Sequence, residues 1–381
     1  MLIYHICGKT YDVSKFVDKH PGGTDMFARI KSHTDITPLI YSYHKDIPAV
    51  FQVLAKYEIP DDTAVIKYKN EFIYHDYLTL KTLVYNEIRD KNLPLYWSNT
   101  EICINMVGFG LYLALWVYCY FLENPSALWF VLLSFINVGH CALIFHETSH
   151  YTGFKNQWLN WLVSHIAVAP ILTTEEWKWD HNFLHHCFTN LDYDVDYVGH
   201  PYTFRNSLDH TYYWQHQFQH IYAPVLFCLG GFSGMVDSIK HERWNFLIFM
   251  TILYRFGFQN TLVFYFLTGF LFLFIAQLSH IQPECTNAKT LDFLTNQVAS
   301  TMNYKTENPL VRFICFGLDI QIEHHLFPNI PHSTLRQVQH IVRAYCAEKG
   351  ISYYEKPDIF EIAKSYFTHL YEMGKRPASN I

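Results

Sequence analysis

Histidine is the residue type with which this sequence could do chemistry. There are 23 histidines among 381 residues, whereas lysine and arginine together number 28. The informative ones form three short motifs with helical spacing, and one further histidine stands alone between the second motif and the third. The three motifs and the single residue are His146-Glu-Thr-Ser-His150, His181-Asn-Phe-Leu-His185-His186, Gln321-Ile-Glu-His324-His325 and His280.

The spacing within the first two motifs predicts that their imidazoles converge on metal. Residues four apart lie on the same face of an α-helix, so His146 and His150 would reach one metal region. His181 and His185 repeat this spacing. His186 lies about 100° further round the helix and is expected to serve a second metal.

The third motif combines an amide with two imidazoles, because Gln321 stands four residues before His325 and His324 lies between them. With His280, the set comprises eight imidazoles, which exceed the coordination sphere of one metal ion. Nitrogen ligands in this number suit two first-row metals without any thiolate. A zinc hydrolase would need fewer ligands and a carboxylate base beside an open zinc. The pattern therefore predicts a pair of irons.

Apolar segments must carry these motifs. Residues 102–122 and 126–145 contain no Asp, Glu, Lys or Arg and are long enough to span a bilayer. The short polar break between them predicts a tight helical hairpin. Residues 244–257 and 260–279 are predicted to form two further helices joined by a tight turn.

Membrane topology limits how these segments cross. If all motifs bind one metal centre, they lie on one membrane face, so the chain crosses an even number of times between any two of them. Residues 158–172 therefore cannot form a single span. One of the apolar stretches between the second motif and His280 has to lie in the interface, and residues 221–236 are the predicted one.

A separate pair of histidines lies in the first sixty residues. His20 precedes a Pro21-Gly22-Gly23 turn, whose glycines let the backbone pass close to a flat ligand. His44 follows 24 residues later. Two neutral imidazoles on opposite faces of a haem would keep its iron six-coordinate, which closes the iron to oxygen and suits electron transfer.

This region resembles the cytochrome b5 family over residues 2–60, through the segments GKTYDV and VSKFVDKHPGG and the gap to the second histidine. The resemblance implies that His20 and His44 are the axial ligands of a haem b. One departure is Tyr43, which stands where many members have glycine before the second ligand.

Residues 75–355 resemble the membrane fatty acid desaturases, in particular the cytochrome b5-fused front-end branch. The similarity is carried by Trp177-Lys-Trp179-Asp-His181-Asn182 and by Gly317-Leu-Asp-Ile-Gln321-Ile-Glu-His-His-Leu-Phe327-Pro328, of which the glutamine-led motif is the most specific. The catalytic residues that the resemblance implies are Gln321 and seven histidines of a di-iron centre, with His280 as a further iron ligand. Those seven are His146, His150, His181, His185, His186, His324 and His325.

Composition excludes several classes of protein. Half of the residues are hydrophobic and 16% are charged, against about 25% charged in soluble domains, which argues against disorder, a coiled coil and a purely soluble fold. The net charge of −6 gives no reason to expect a nucleic-acid partner. The nine cysteines lack paired spacing, so we expect no disulfide framework and a reducing, cytosol-facing location.

These observations predict a mainly α integral membrane protein, a four-span histidine-box desaturase with an N-terminal α+β haem domain. The predicted divisions are a haem domain at 1–65, a connector at 66–100, a membrane di-iron domain at 101–355 and a tail at 356–381. The predicted function is an O2-dependent desaturase that introduces a double bond into a fatty acyl chain during unsaturated fatty acid biosynthesis.

Electrons would come from an NADH-cytochrome b5 reductase or a similar donor and pass through the haem to two non-haem irons. The acyl substrate would be carried by coenzyme A, a phospholipid or a sphingolipid. The expected location is the endoplasmic reticulum membrane, with the haem domain and the motifs facing the cytosol. Two alternatives stay open: desaturation or hydroxylation of a sphingolipid long-chain base, and a membrane-anchored haem electron carrier without enzymatic activity.

Several other polar residues lie near the motifs. Four carboxylates are expected either to orient ligand imidazoles or to be solvated, namely Glu147, Asp180, Asp319 and Glu323. An acidic cluster after the second motif is expected to be a solvated loop face, although near a metal site it could help to dock or orient a ligand; its members are Asp192, Asp194 and Asp196. The remaining histidines, His332 among them, are expected to be structural.

Overall fold

The computed structural model describes residues 1–60, 66, 72–168, 171–198, 201–241, 243–285 and 292–377. Within these ranges the chain is mainly helical, with a four-stranded sheet near the N-terminus and a two-stranded sheet in the C-terminal part. The predicted domain boundary at residue 65 and the end of the predicted tail, residues 378–381, lie outside the described ranges.

The N-terminal domain is an α+β unit, as predicted. Its strands are β1 (Ile3–Ile6), β2 (Lys9–Asp12), β3 (Thr34–Asp35) and β4 (Glu58–Ile59), and its helices are α1 (Asp25–Arg29), α2 (Thr37–Tyr43) and α3 (Ile47–Leu54). The strand order is β3-β1-β2-β4. Tyr4 of β1 pairs with Tyr11 in the antiparallel direction and with Thr34 in the parallel direction.

The core of this domain continues into the rest of the chain. Tyr4, Tyr11 and Ile36 belong to a buried cluster that also contains Phe183 and Phe188. Phe183 lies within the second histidine motif and Phe188 follows it closely. The N-terminal domain therefore packs directly against the element that carries the second motif.

Two membrane helices follow the connecting helix α4 (His75–Asp90). The first, α5 (Asn99–Phe121), begins with a capping box between Ser98 and Glu101. The second consists of α6 (Ala127–Ile136), a π-helical turn (Asn137–Cys141) and α7 (Ala142–Ser149). Both have the length and composition to cross a membrane, which agrees with the predicted hairpin.

In the described residues between the first and second motifs, no helix is long enough to span a bilayer. Its helix α8 (Gln157–Val168) has 12 residues and is about 18 Å long, well short of the roughly 30 Å of a bilayer core. The chain then forms α9 (Thr174–Trp177), a π-helix (Lys178–His185) and α10 (Val195–Val198). The prediction that residues 158–172 make no single span agrees with this length.

Two more segments, Trp214–Lys240 and Trp244–Leu278, have the length and composition of membrane spans. They contain α11 (Gln219–His241) and α12 (Arg243–Leu278), and α12 is interrupted at Gly257, where φ is 76° and ψ is 169°. The rings of Phe249 and Tyr265 lie 5.7 Å apart, although a straight helix would separate these residues by about 24 Å. The chain thus folds back at Gly257, and the predicted pair of helices is confirmed.

α11 packs closely against the second half of α12. A Cβ atom on Gly231 would lie 2.2 Å from the Tyr265 carbonyl oxygen, and one on Gly269 would lie 2.4 Å from the Gly231 nitrogen. α11 therefore runs backbone to backbone along the second half of α12, as small residues permit in membranes. Its length and composition would also allow a span, and the interfacial placement of 221–236 stays a prediction. Because α12 folds back at Gly257, its two halves account for two crossings, so an even number before His280 requires that α11 does not cross.

The C-terminal part holds the third motif against the connector. Its elements are α13 (Phe293–Ala299), β5 (Asn303–Tyr304), α14 (Pro309–Ile314), α15 (Gln321–Leu326), α16 (His332–Lys349), β6 (Glu355–Lys356) and α17 (Ile359–Met373). Tyr77 and Val84 of α4 share a buried cluster with Leu326 of α15 and with Val338 and Val342 of α16. This cluster fixes α15, and with it the third motif, relative to the connecting helix.

Candidate functional site

All eight histidines of the predicted metal set come together at one end of the membrane helices. The first motif lies on α7 and just after it, the second on the π-helix Lys178–His185, and the third on α15. His280 follows the end of α12. The histidines are buried except His181, which is partly buried.

The nitrogens form two groups in which one ring nitrogen of each member lies within 4.8 Å of those of the others. The first group contains His146, His150, His181 and His324, and the second contains His185, His280 and His325. A third combination, His181, His185 and Asp196, also meets this limit. Its carboxylate side chain is half exposed, so the two all-histidine groups are the better candidates.

The second motif is divided between these groups, which differs from the prediction for its spacing. His181 belongs to the first group and His185 to the second, whereas α-helical spacing placed both on one metal. The segment is a π-helix, whose i→i+5 hydrogen bonds widen the turn and bring residues five apart onto one side. His186 consequently lies between the groups, with its Nε2 atom 3.1 Å from His181 Nε2 and its ring stacked 4.2 Å from that of His325.

The distances between nitrogens suit ligands of a shared ion. His146 Nε2 lies 3.2 Å from His181 Nε2, and His186 Nε2 lies 3.1 Å from it. Two nitrogens about 2.1 Å from one metal and 90–109° apart would be separated by about 3.0–3.4 Å. The first group therefore has the spacing of a coordination sphere.

Unpartnered buried nitrogens point to the same conclusion. Several imidazole nitrogens of the site are buried and have no hydrogen-bond partner, which is costly unless an ion satisfies them. They are His146 Nδ1, His150 Nε2, His186 Nδ1, His324 Nδ1, His324 Nε2 and His325 Nε2. The residues present fit the iron pair that the sequence predicted.

The second group shows how the rings are oriented. His185 Nδ1 lies 3.0 Å from both oxygens of Asp194, His280 Nδ1 lies 3.3 Å from the Ser300 carbonyl, and His325 Nδ1 lies 3.2 Å from Gln297 Oε1. An acceptor on the outer nitrogen leaves Nε2 as the metal-binding atom, as is usual for metal-bound histidines.

Burial determines the charge state of most ligands. It lowers the pKa of the following imidazoles well below the ordinary value, so they are neutral and able to bind a metal: His150, His181, His186, His280, His324 and His325. For His185, burial also opposes the charged form, but the Asp194 carboxylate outweighs it and the pKa is raised.

Two functional residues were not recognised from the sequence. Asp194, expected on a solvated face, is fully buried and also accepts from the backbone N–H groups of Asn190 and Asp196. His332, expected to be structural, lies with its ring 4.9 Å from that of His324 and with a buried, unpartnered Nε2. The acidic cluster beside the second motif was a usable signal for Asp194, whereas His332 belongs to no spaced motif.

The four carboxylates near the motifs have different roles. Glu147 accepts from Trp97 Nε1 and from His332 Nδ1, the latter at 2.8 Å, so it orients an imidazole. Asp319 pairs with Arg336, and Glu323 accepts from Asn303 and Tyr353. Burial raises the pKa of Glu323 to about 7 and that of Asp180 to about 6.

Gln321 lies at the second group. Its Nε2 atom is 3.0 Å from His280 Nε2, and its Oε1 atom is buried without a partner. The amide therefore reaches the ligand atom of His280, at the position where the sequence placed a catalytic residue.

The predicted haem ligands face each other across a cavity of about 530 Å³. The rings of His20 and His44 are 5.9 Å apart, close to the roughly 6 Å expected for two imidazoles on one haem iron. His20 Nδ1 donates to the Gly23 carbonyl and His44 Nδ1 to the Ile40 carbonyl, which leaves both Nε2 atoms for the metal. Burial lowers the pKa of His20, and that of His44 to about 4, so both are neutral.

Glycine in the turn after His20 has a structural reason. A Cβ atom on Gly22 would lie 2.8 Å from the Cε1 atom of the His20 ring. Gly23, whose carbonyl accepts from His20, has a φ of 86°. Both glycines therefore set the orientation of the ring, in addition to leaving room for a flat ligand.

Comparison with known families decides what this site belongs to. The sequence profile described as fatty acid desaturase matches residues 123–357, which is more than half of the chain. The chain belongs to the fatty acid desaturase family. A second profile, described as cytochrome b5-like heme/steroid binding domain, matches residues 2–62 of this desaturase. The resemblance to cytochrome b5-fused desaturases is thereby confirmed.

The similarity to known proteins covers nearly the whole length of the desaturase. It is 27% identical to the acyl-lipid (8-3)-desaturase of Physcomitrium patens, over 97% of this chain and 87% of that protein. It is 26% identical to Delta(5) fatty acid desaturase A of Dictyostelium discoideum, over 97% and 90% respectively. Fatty acid desaturase 3 of Bos taurus is 25% identical, over 92% and 85%. The desaturase is thus a membrane oxidoreductase of lipid metabolism, with haem implied by its N-terminal domain and iron by its family.

Proposed function

We propose that this desaturase introduces a double bond into an acyl chain carried by a membrane lipid, using electrons that enter through its own haem domain. The observation that carries the proposal is the arrangement of two histidine groups beside a haem cavity within one chain. The name of one relative supports a lipid-bound substrate, since it is the acyl-lipid (8-3)-desaturase of Physcomitrium patens.

The histidines hold the cofactor and supply no acid or base. We assign the first ion to His146, His150, His181 and His324 and the second to His185, His280 and His325, with His186 and Gln321 completing the site. Two irons held there would use O2 to remove hydrogen from adjacent methylene groups. In the balanced reaction, a CH2–CH2 unit, O2, two electrons and two protons give a CH=CH unit and two waters.

The N-terminal domain delivers the electrons singly. His20 and His44 would hold a haem b in its six-coordinate state, which passes electrons without binding oxygen. We propose an NADH-cytochrome b5 reductase or a similar flavoenzyme as the donor. Fusion of the two domains keeps the haem at a high effective concentration at the iron site.

The membrane arrangement supports a site at one surface. The motifs lie where α7 and α12 end, and an even number of crossings joins them. We propose that this surface faces the cytosol, in the endoplasmic reticulum, where the reductase and reduced nicotinamide are available. An acyl chain could then reach the irons from the bilayer without its head group leaving the interface.

Lipid analysis of a host that lacks polyunsaturated fatty acids tests the proposal. Cells that express the protein and receive an exogenous unsaturated fatty acid should accumulate a phospholipid-bound acyl chain with one more double bond. His185→Ala should abolish this product, whereas the exposed His340→Ala control should retain it. An unsaturated or hydroxylated long-chain base, or an unchanged lipid profile despite bound haem and iron, would contradict the proposal.

A further inference from the structure

Tyr43 lies between the haem cavity and the first metal group. It is the last residue of α2 and immediately precedes His44. Its hydroxyl oxygen is 2.9 Å from His150 Nδ1, and the two rings are nearly parallel, with an interplanar angle of 10°. A residue of the N-terminal domain thus contacts the ring of a predicted iron ligand.

The last turn of α2 is fixed to the desaturase domain at several points. Lys81 Nζ donates to the Tyr41 carbonyl at 2.5 Å, and Tyr77 Oη donates to the same oxygen at 3.3 Å. Asn329 Nδ2 donates to the Tyr43 carbonyl at 2.9 Å. The carbonyls that a helix leaves unpaired at its C-terminus are therefore satisfied by the other domain.

The haem cavity itself reaches the iron site. The cavity that His20 and His44 line is also lined by His150 and Asn182. A haem bound there would share its cavity with His150, a predicted ligand of the first metal group. The covalent link from His44 to Tyr43 and the hydrogen bond between Tyr43 and His150 connect the two cofactor sites.

We infer that Tyr43 is a positioning residue that couples the haem domain to the iron site. By accepting from His150 Nδ1, its hydroxyl would direct His150 Nε2, which is buried and unpartnered, toward the first metal group. The inference rests on the proposed function, in which each electron that leaves the ferrous haem would reduce one ferric ion of the pair. No bond breaks in this step.

The hydroxyl of Tyr43 can be tested separately from its ring. Many cytochrome b5 domains have glycine at the position before the second haem ligand, and glycine would offer His150 no hydrogen bond. Tyr43→Phe keeps the ring and removes only the hydroxyl. Tyr41→Phe is the matched control, because Tyr41 lies on the same helix and its hydroxyl contacts Cys7 Sγ at 3.3 Å.

The full-length variants are compared by three measurements. The first is the haem absorption spectrum, the second is a Co²⁺ titration of the iron-free, haem-loaded protein by visible absorption, and the third is stopped-flow reoxidation of the reduced haem in the iron-loaded protein. Tyr43→Phe should keep the haem spectrum, bind one of two Co²⁺ ions about tenfold more weakly and reoxidise its haem about tenfold more slowly. Tyr41→Phe should match the unmodified protein in all three.

Each result decides one part of the inference. Unchanged Co²⁺ affinity in Tyr43→Phe would overturn the positioning of His150, and an unchanged reoxidation rate would overturn the coupling between the domains. Reoxidation that is equally fast in unmodified protein with and without iron would contradict the proposed function instead. The Co²⁺ titration would still decide the role of Tyr43 in that case.

Discussion

At the scale of single residues, the chemistry depends on which nitrogen of each histidine is left free. The spacing of the motifs was sufficient to find seven imidazoles, because ligands on one helical turn repeat regularly, whereas His280 was assigned through the family resemblance. It could not find the partners that orient them, since Asp194, Ser300 and Gln297 meet their histidines only through tertiary contacts. His332 was missed for the same reason, since its partner Glu147 lies on another helix.

Asp194 provides a direct test of this orientation. Asp194→Asn keeps the size of the side chain but weakens the acceptor that holds His185 Nδ1, so one of the two irons should bind about 10- to 100-fold more weakly. The measurement is iron content after equilibration against a chelator of known affinity. Asp192→Asn is the control, because Asp192 lies in the same loop and is exposed. Equal retention of iron by both variants would show that Asp194 does not orient a ligand.

At the scale of elements, the local helix geometry determined which residues the sequence spacing brings together. The uncharged runs predicted α5 and the second membrane helix, and Gly257 marked the reversal within α12. The π-helix over Lys178–His185 was not predictable, because no residue in the motif signals i→i+5 bonding, and it brings His186 beside His181. Composition also could not reveal the close glycine contact between α11 and α12.

The glycine contact between α11 and α12 predicts a specific loss of stability. A methyl group at position 231 would meet the Tyr265 backbone at 2.2 Å, and a backbone oxygen cannot rotate away as a side chain would. Gly231→Ala should therefore destabilise the protein by about 1–3 kcal/mol, measured by thermal unfolding in detergent. Gly110→Ala, on α5 where nothing lies within 4 Å, should be neutral or stabilise by up to about 1 kcal/mol. A Gly231→Ala variant as stable as Gly110→Ala would contradict the close approach of the helices.

At the scale of the whole molecule, the two cofactor sites occupy one end and the hairpin tips occupy the other. Asn260 Nδ2 donates to the Pro125 carbonyl at 3.1 Å, and Arg255 donates to the Leu122 carbonyl, so the reversal in α12 meets the turn between α5 and α6. α5 has 23 residues and separates this turn from the motifs by about 35 Å. The parity of crossings inferred from the motifs leads to the same arrangement.

The side of the membrane on which each end of the molecule lies can be measured by labelling in sealed microsomes with the cytosolic face outward. In a background with the exposed Cys7 and Cys103 replaced by serine, a cysteine is introduced at Glu123, in the α5–α6 turn, or at Asp209, in the segment before α11. Both positions are exposed. A membrane-impermeant maleimide should label Asp209→Cys in intact microsomes and Glu123→Cys only after permeabilisation, because the turn lies across the bilayer from the histidine motifs. Labelling of both in intact microsomes would mean that α5 does not cross, and labelling of Glu123→Cys alone would place the metal site in the lumen.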